Sequence, residues 1–141
     1  MSDYLENKLV DQLFRGQTAP TTTTLYVALL TAAPSDSGGG TEVTGGSYAR
    51  VAVTSSLANW AGTQAAASTV ASSGTGGQTS NNAAITFPTP TATWGTVTHF
   101  GIYDASSGGN LLFWGALTIS KTINQSDTVT FPAASLSITF A

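Results

Sequence analysis

Two runs dense in β-formers, Thr96 to Tyr103 and Leu111 to Ile119, flank Asp104-Ala105-Ser106-Ser107-Gly108-Gly109-Asn110, a segment made almost wholly of turn residues. The pattern predicts a β-hairpin around which the rest of the chain is organised. In the first run Thr96, Thr98, Phe100 and Ile102 share one face, and Val97, His99, Gly101 and Tyr103 share the other. The second run is apolar on both faces, with Leu111, Phe113, Leu117 and Ile119 pointing one way and Leu112, Trp114 and Ala116 the other. Such a strand needs cover on both sides. A facing sheet supplies one layer, and a helix, a loop or a partner subunit must supply the second.

Apolar spacing upstream of the hairpin predicts one short amphipathic helix over residues 3 to 15, with Asp3 as cap, Glu6 reaching back to it, and Gly16 as the stop. Leu5, Leu9, Leu13 and Phe14 fall on a single stripe, which either covers an open face of its own domain or docks on a neighbouring subunit. Gln17 to Thr22, with Pro20, links this helix to Thr23–Thr31, a strand with Leu25, Val27 and Leu29 on one face and Tyr26, Ala28 and Leu30 on the other. A long loop with two glycine clusters follows, from Ala33 to Gly46. Tyr48 to Thr54 then alternates, with Ala49, Val51 and Val53 inward and Tyr48, Arg50, Ala52 and Thr54 outward.

Leu57 to Trp60 is weakly strand-like, and Ala61 to Ser80 is a low-complexity tract of Ala, Ser, Thr, Gly and Gln, expected to be a long exposed connection. Trp60 stands out beside it and is expected in the core or an interface. Asn82–Phe87 resumes as a strand and ends at Pro88-Thr89-Pro90. Beyond the hairpin, Lys121 to Ile123 extends the second strand and Asn124 to Asp127 makes a turn. Val129 and Phe131, then Leu136, Ile138 and Phe140, form inward faces of the last strands. Seven to nine short strands with no helix between them predict an all-β fold. It is an antiparallel β-sandwich of jelly-roll or Greek-key type, with one short N-terminal helix (1–16) preceding a single β-sandwich domain (17–141).

Composition narrows the functions open to such a fold. The 141 residues include seven acidic and four basic side chains, and five of these charges lie in the first fifteen positions. The body of the domain is therefore nearly uncharged. With only Arg50 and Lys121 as cations beyond residue 15, tracking a nucleic-acid backbone is not expected. Arg50 is either a side chain beside Glu42 or Asp36, or a contact to an acidic partner. No apolar run is long enough to span a bilayer, and Asp3, Glu6, Lys8 and Asp11 occupy positions where a signal peptide would be apolar.

Candidate chemistry is sparse. There is no cysteine and only one histidine, His99, which sits on a strand face with no serine on a strained turn to pair with it. The carboxylates Asp36, Glu42, Asp104 and Asp127 are isolated in loops and turns, which suits neither a metal site nor a glycosidase pair. The glycine clusters lead into a strand with no following Lys, so they do not fit a phosphate loop. No enzyme activity, cofactor or metal is expected, and a structural or binding protein is.

The run Thr24-Leu25-Tyr26-Val27-Ala28-Leu29-Leu30-Thr31-Ala32-Ala33-Pro34-Ser35-Asp36 and the segment Gly45-Gly46-Ser47-Tyr48-Ala49-Arg50 resemble small virion proteins of tailed bacteriophages. So do Phe100-Gly101-Ile102-Tyr103-Asp104 and Asp127-Thr128-Val129-Thr130-Phe131-Pro132. Within that group the chain is most similar to the head cementing, or decoration, proteins of Bordetella-type short-tailed phages. The resemblance implies a jelly-roll protein made in the host bacterial cytoplasm. It would bind the outside of an HK97-type capsid, bridge neighbouring copies of the major capsid protein, and assemble as a homodimer or other homo-oligomer without nucleic acid or membrane. A cement acts by mass action, binding the assembled shell and not its dissociated subunits. Leu5, Leu9, Leu13, Phe14, Arg50 and Trp60 are the candidate partner contacts. The alternative is a tail or fibre module that contacts the host surface, with Trp60, Tyr103 and the loops binding sugar.

Overall fold

A computed structural model describes residues 1–18 and 21–140, so the part of the expected linker at Ala19 and Pro20 lies outside the described residues. Among the described residues one helix, α1 (Asp3–Phe14), precedes nine strands: β1 (Thr24–Ala32), β2 (Thr41–Glu42), β3 (Val51–Thr54), β4 (Gln78–Ser80), β5 (Ile85–Thr86), β6 (Gly95–Tyr103), β7 (Leu111–Ile123), β8 (Thr130–Phe131) and β9 (Ser137–Thr139). The fold is all-β, and every strand pair is antiparallel.

The expected hairpin is β6–β7, and it supplies two strands of a five-stranded sheet. β1 lies against β6, and the other edge of β1 is shared by β2 at its C-terminal end and β3 at its N-terminal end. Two short ribbons, β4–β9 and β5–β8, lie over one face of this sheet. Between them sits the main core, built from Val27, Leu29, Val97, Ile102, Ile123 and Leu136 among others. Alternation places Leu25, Val27 and Leu29 there, and it places Tyr26 and Ala28 with Tyr103, Leu111 and Trp114 on the opposite face. Gly115 is needed in the central rows because the Phe100 ring lies where its Cβ would be, 2.9 Å away.

Two register slips redistribute side chains that strict alternation had assigned. Val97 pairs with Lys121 but His99 pairs with Ala116, so β7 carries three more residues than β6 across that step. The extra residues bow outward. Ile119, grouped by alternation with Phe113 and Leu117, is 80% exposed, while Val97, grouped with His99 and Tyr103, is buried in the main core. The second slip, between Ile102 and Tyr103, turns Leu111 onto the outer face with Tyr103 instead of beside Phe113.

Other departures are local. Tyr48 precedes β3, so it escapes the strand's alternation and enters the main core, its ring 5.3 Å edge-on to Trp94 and 6.3 Å from Phe87. The Gly45-Gly46-Ser47 turn that aims it there has positive φ throughout, and a Cβ on Gly46 would collide with the Trp94 indole. Ala49 is exposed, as is much of Phe140, whose ring nevertheless packs edge-on against Phe113 at 5.1 Å. The low-complexity tract is largely exposed as expected, but its ends are not: Ala61 and Gly62 are buried, and Gln78–Ser80 pairs with β9. Asn81, just beyond, is 1% exposed. Its amide donates to the carbonyls of Ala83 and Pro132 and accepts from the Leu136 N–H, tying β4, β5 and β9 together.

Candidate interaction surface

The hydrogen bonds that fasten helix α1 to the domain come from its first residues. Ser2, not Asp3, is the N-cap; its Oγ accepts from the Leu5 N–H at 3.4 Å and donates to the Leu111 carbonyl at 2.5 Å. The Ser2 N–H donates to Leu112 O and the Asp3 N–H to Asp36 O, so the helix start is stitched to β7 and to the loop after β1. Ser2 is buried, and with Asp36 and the glycines beside it provides part of the second cover that the outer sheet face requires. Further along, contact fails. Leu5 and Leu9 are half-buried, whereas Leu13 is 70% and Phe14 81% exposed, with Val10 also open. The expected stripe thus divides into an inner half on the domain and a bare apolar outer end. Arg15 closes the helix, paired with Asp11 at 3.0 Å, and Gly16 adopts φ +67°, as its expected role as the stop requires.

Arg50 is engaged within its own chain. Its guanidinium donates from Nε and Nη2 to the two carboxylate oxygens of Glu42 at 2.9 and 2.7 Å, and from Nη1 to the carbonyls of Ala105 and Gly108 at 2.8 Å each. It lies 3.6 Å over the Tyr103 ring, and its side chain is only 6% exposed. Four of its five N–H donors are spent inside the molecule, locking the hairpin loop to β2 across the outer face. Glu42 also accepts from the Tyr48 hydroxyl at 2.8 Å, and that hydroxyl in turn accepts from the Leu29 N–H. Burial works to raise the Glu42 pKa, but the hydrogen bonds from Arg50 and Tyr48 and the guanidinium charge outweigh it and hold the carboxyl below its ordinary value. Burial pushes the Tyr48 and Tyr103 phenols up. Tyr103 is largely buried beneath Arg50.

Trp60 is half-buried against the main core and forms one wall of an apolar cleft of about 340 Å³. Leu25, Leu57, Phe113, Ile138 and Phe140 supply its other large apolar walls, Ser55, Ser56, Ser72 and Thr79 also line it, and no charged residue does. Leu57 and Phe140 are more than half exposed at its rim, and the buried Trp60 indole N–H has no hydrogen-bond partner. His99 donates to or accepts from the neighbouring Thr98 hydroxyl at 2.8 Å and rests 6.1 Å from the Trp114 ring. Among the described residues, no helix is long and apolar enough to cross a membrane.

Residues 1–139 match the family described as podophage GP4 fiber I protein gp80. The chain belongs to this family. It is a structural protein of a short-tailed phage virion, which agrees with the resemblance of its β1 and hairpin motifs to tailed-phage virion proteins. Membership does not support the head decoration identity; it favours the tail or fibre alternative. No curated protein matches the chain. Sequence reasoning missed Ser2, Tyr48 and Asn81, the residues that position the surfaces of this fiber-family protein. Only Ser2 carried a local signal, as a capping residue type directly before the helix.

Proposed function

We propose that this protein is a non-catalytic structural module of a phage tail fibre, joined to neighbouring subunits through the outer end of α1. The single observation carrying the attachment is the uncovered apolar face of Val10, Leu13 and Phe14, standing on a helix whose other end is firmly stitched down. A helical face of this kind is placed in water at a cost that association removes. The family membership supports fibre over head as the location.

The test is localisation in intact virions by cryo-electron microscopy, with gold-labelled antibody against this chain as an independent marker. Label on the tail fibres, lost in virions assembled with Phe14→Asp, is the expected result. Label over the head surface would return the protein to capsid decoration and overturn the proposal.

A further inference from the structure

The outer end of α1 and the Trp60 cleft are complementary surfaces carried by one chain. The first is a convex group of three apolar side chains at i, i+3 and i+4 spacing, so Val10, Leu13 and Phe14 project together. The second is a concave site walled by Leu25, Trp60, Phe113 and Ile138, with Leu57 and Phe140 open at the rim. Its volume, about 340 Å³, accommodates a Phe and a Leu side chain together. Neither surface carries an unpaired charge: no charged residue lines the cleft, and beside Phe14 the Arg15 guanidinium is occupied by Asp11. No residue of α1 lines the chain's own cleft, and α1 meets its own domain chiefly at β7. Each chain therefore offers an unfilled cleft and an unburied knob.

We propose that the occupant of the cleft is a second copy of this chain, whose Leu13 and Phe14 seat between Leu57, Trp60 and Phe140. This deepens the attachment proposed above and rests on it, naming the neighbour and the receiving surface. Because two different patches meet, the contact is heterologous: each copy receives a helix on one side and donates one on the other, so copies join in a ring or a row instead of stopping at a two-fold pair. One helix end in one cleft is a small interface, at the weak end of specific contacts. It gains strength when neighbours are already held together in a virion.

Full-length protein studied by sedimentation velocity up to about millimolar concentration, the effective concentration that tethered neighbours experience, tests this directly. Wild type is expected to associate with rising concentration, and Phe14→Asp and Leu57→Asp are each expected to remain monomeric and folded, since both side chains are mostly exposed. The decisive sample is their mixture. Phe14→Asp keeps an intact cleft and Leu57→Asp an intact helix, so an equimolar mixture is expected to form a heterodimer and nothing larger. A wild type that stays monomeric, or a mixture no more associated than its components, overturns the proposal. If Phe14→Asp abolishes association and Leu57→Asp leaves it unchanged, the cleft is not the receptor and this inference fails, while attachment through α1 stands. Failure of the attachment itself is read separately, as normal incorporation of Phe14→Asp into virions.

Discussion

Arg50 shows how one residue type supports opposite roles until its neighbours are known. From sequence it was a cation with two acidic candidates nearby; in the fold it is the centre of a buried cross-link among β2, the hairpin loop and Tyr103. Removing it by Arg50→Ala leaves the Glu42 carboxylate half-buried without its partner. An equilibrium urea titration at pH 7 should show a loss of about 2–3 kcal/mol. The same pair gives a signed pH dependence. Because the folded-state pKa of Glu42 lies below its ordinary 4.5, its contribution is fully present above that value and is lost as pH falls below it, when the unfolded chain takes up the proton first. Urea midpoints measured from pH 7 down to pH 3 should therefore fall on the acid side, and Glu42→Gln should flatten that limb. Asn81 is the second such residue. Asn81→Ala removes three side-chain hydrogen bonds and leaves the Ala83 carbonyl and the Leu136 N–H unpaired, while the Pro132 carbonyl keeps its bonds from Ser135, an expected cost of about 2–4 kcal/mol by the same titration.

Among the elements, α1 is fastened at one end and free at the other, and its behaviour should be equally asymmetric. Ser2→Ala removes the cap and the bond to Leu111, at an expected cost of about 1 kcal/mol. Hydrogen exchange should then quicken along residues 5–9, while the main sheet keeps its protection. The amphipathic stripe was legible in the spacing of Leu5, Leu9, Leu13 and Phe14, yet spacing could not say where cover ends. That boundary depends on where β7 runs beneath the helix. The hairpin was legible for a similar reason: β-formers on both sides of a turn-rich segment leave little choice of pairing. Its register was not. The three-residue bow that exposes Ile119 and turns Val97 inward comes from fitting a twisted strand to its neighbours, and alternation assumes no such slip.

For the whole molecule, the division between a β-domain and a leading helix has a direct consequence. No side chain of α1 itself is fully buried, so deleting residues 1–16 should leave a folded product with unchanged far-ultraviolet strand signal and a melting temperature lowered by a few degrees. The truncated chain should fail to enter virions. An aggregated product would instead mean that the half-buried Leu5 and Leu9, together with Ser2, are essential cover for the outer sheet face. Comparing the circular dichroism of the truncated and full-length chains distinguishes the two.

Composition and pattern by themselves determined an antiparallel β fold with one leading helix and the central hairpin, because polar–apolar period and turn chemistry are local properties of the chain; the virion-type structural protein came from motif resemblance. Three-dimensional proximity alone decided that Arg50 is internal, that Tyr48 enters the core, that Asn81 ties three ribbon strands together, and that the helix end and the Trp60 cleft are both left open. Glu42 and Ala105, which Arg50 joins, are far apart along the chain, and Trp60 meets Phe140 across an even longer stretch. No local periodicity encodes such pairs, since they exist only once the strands between them have been brought into one sheet.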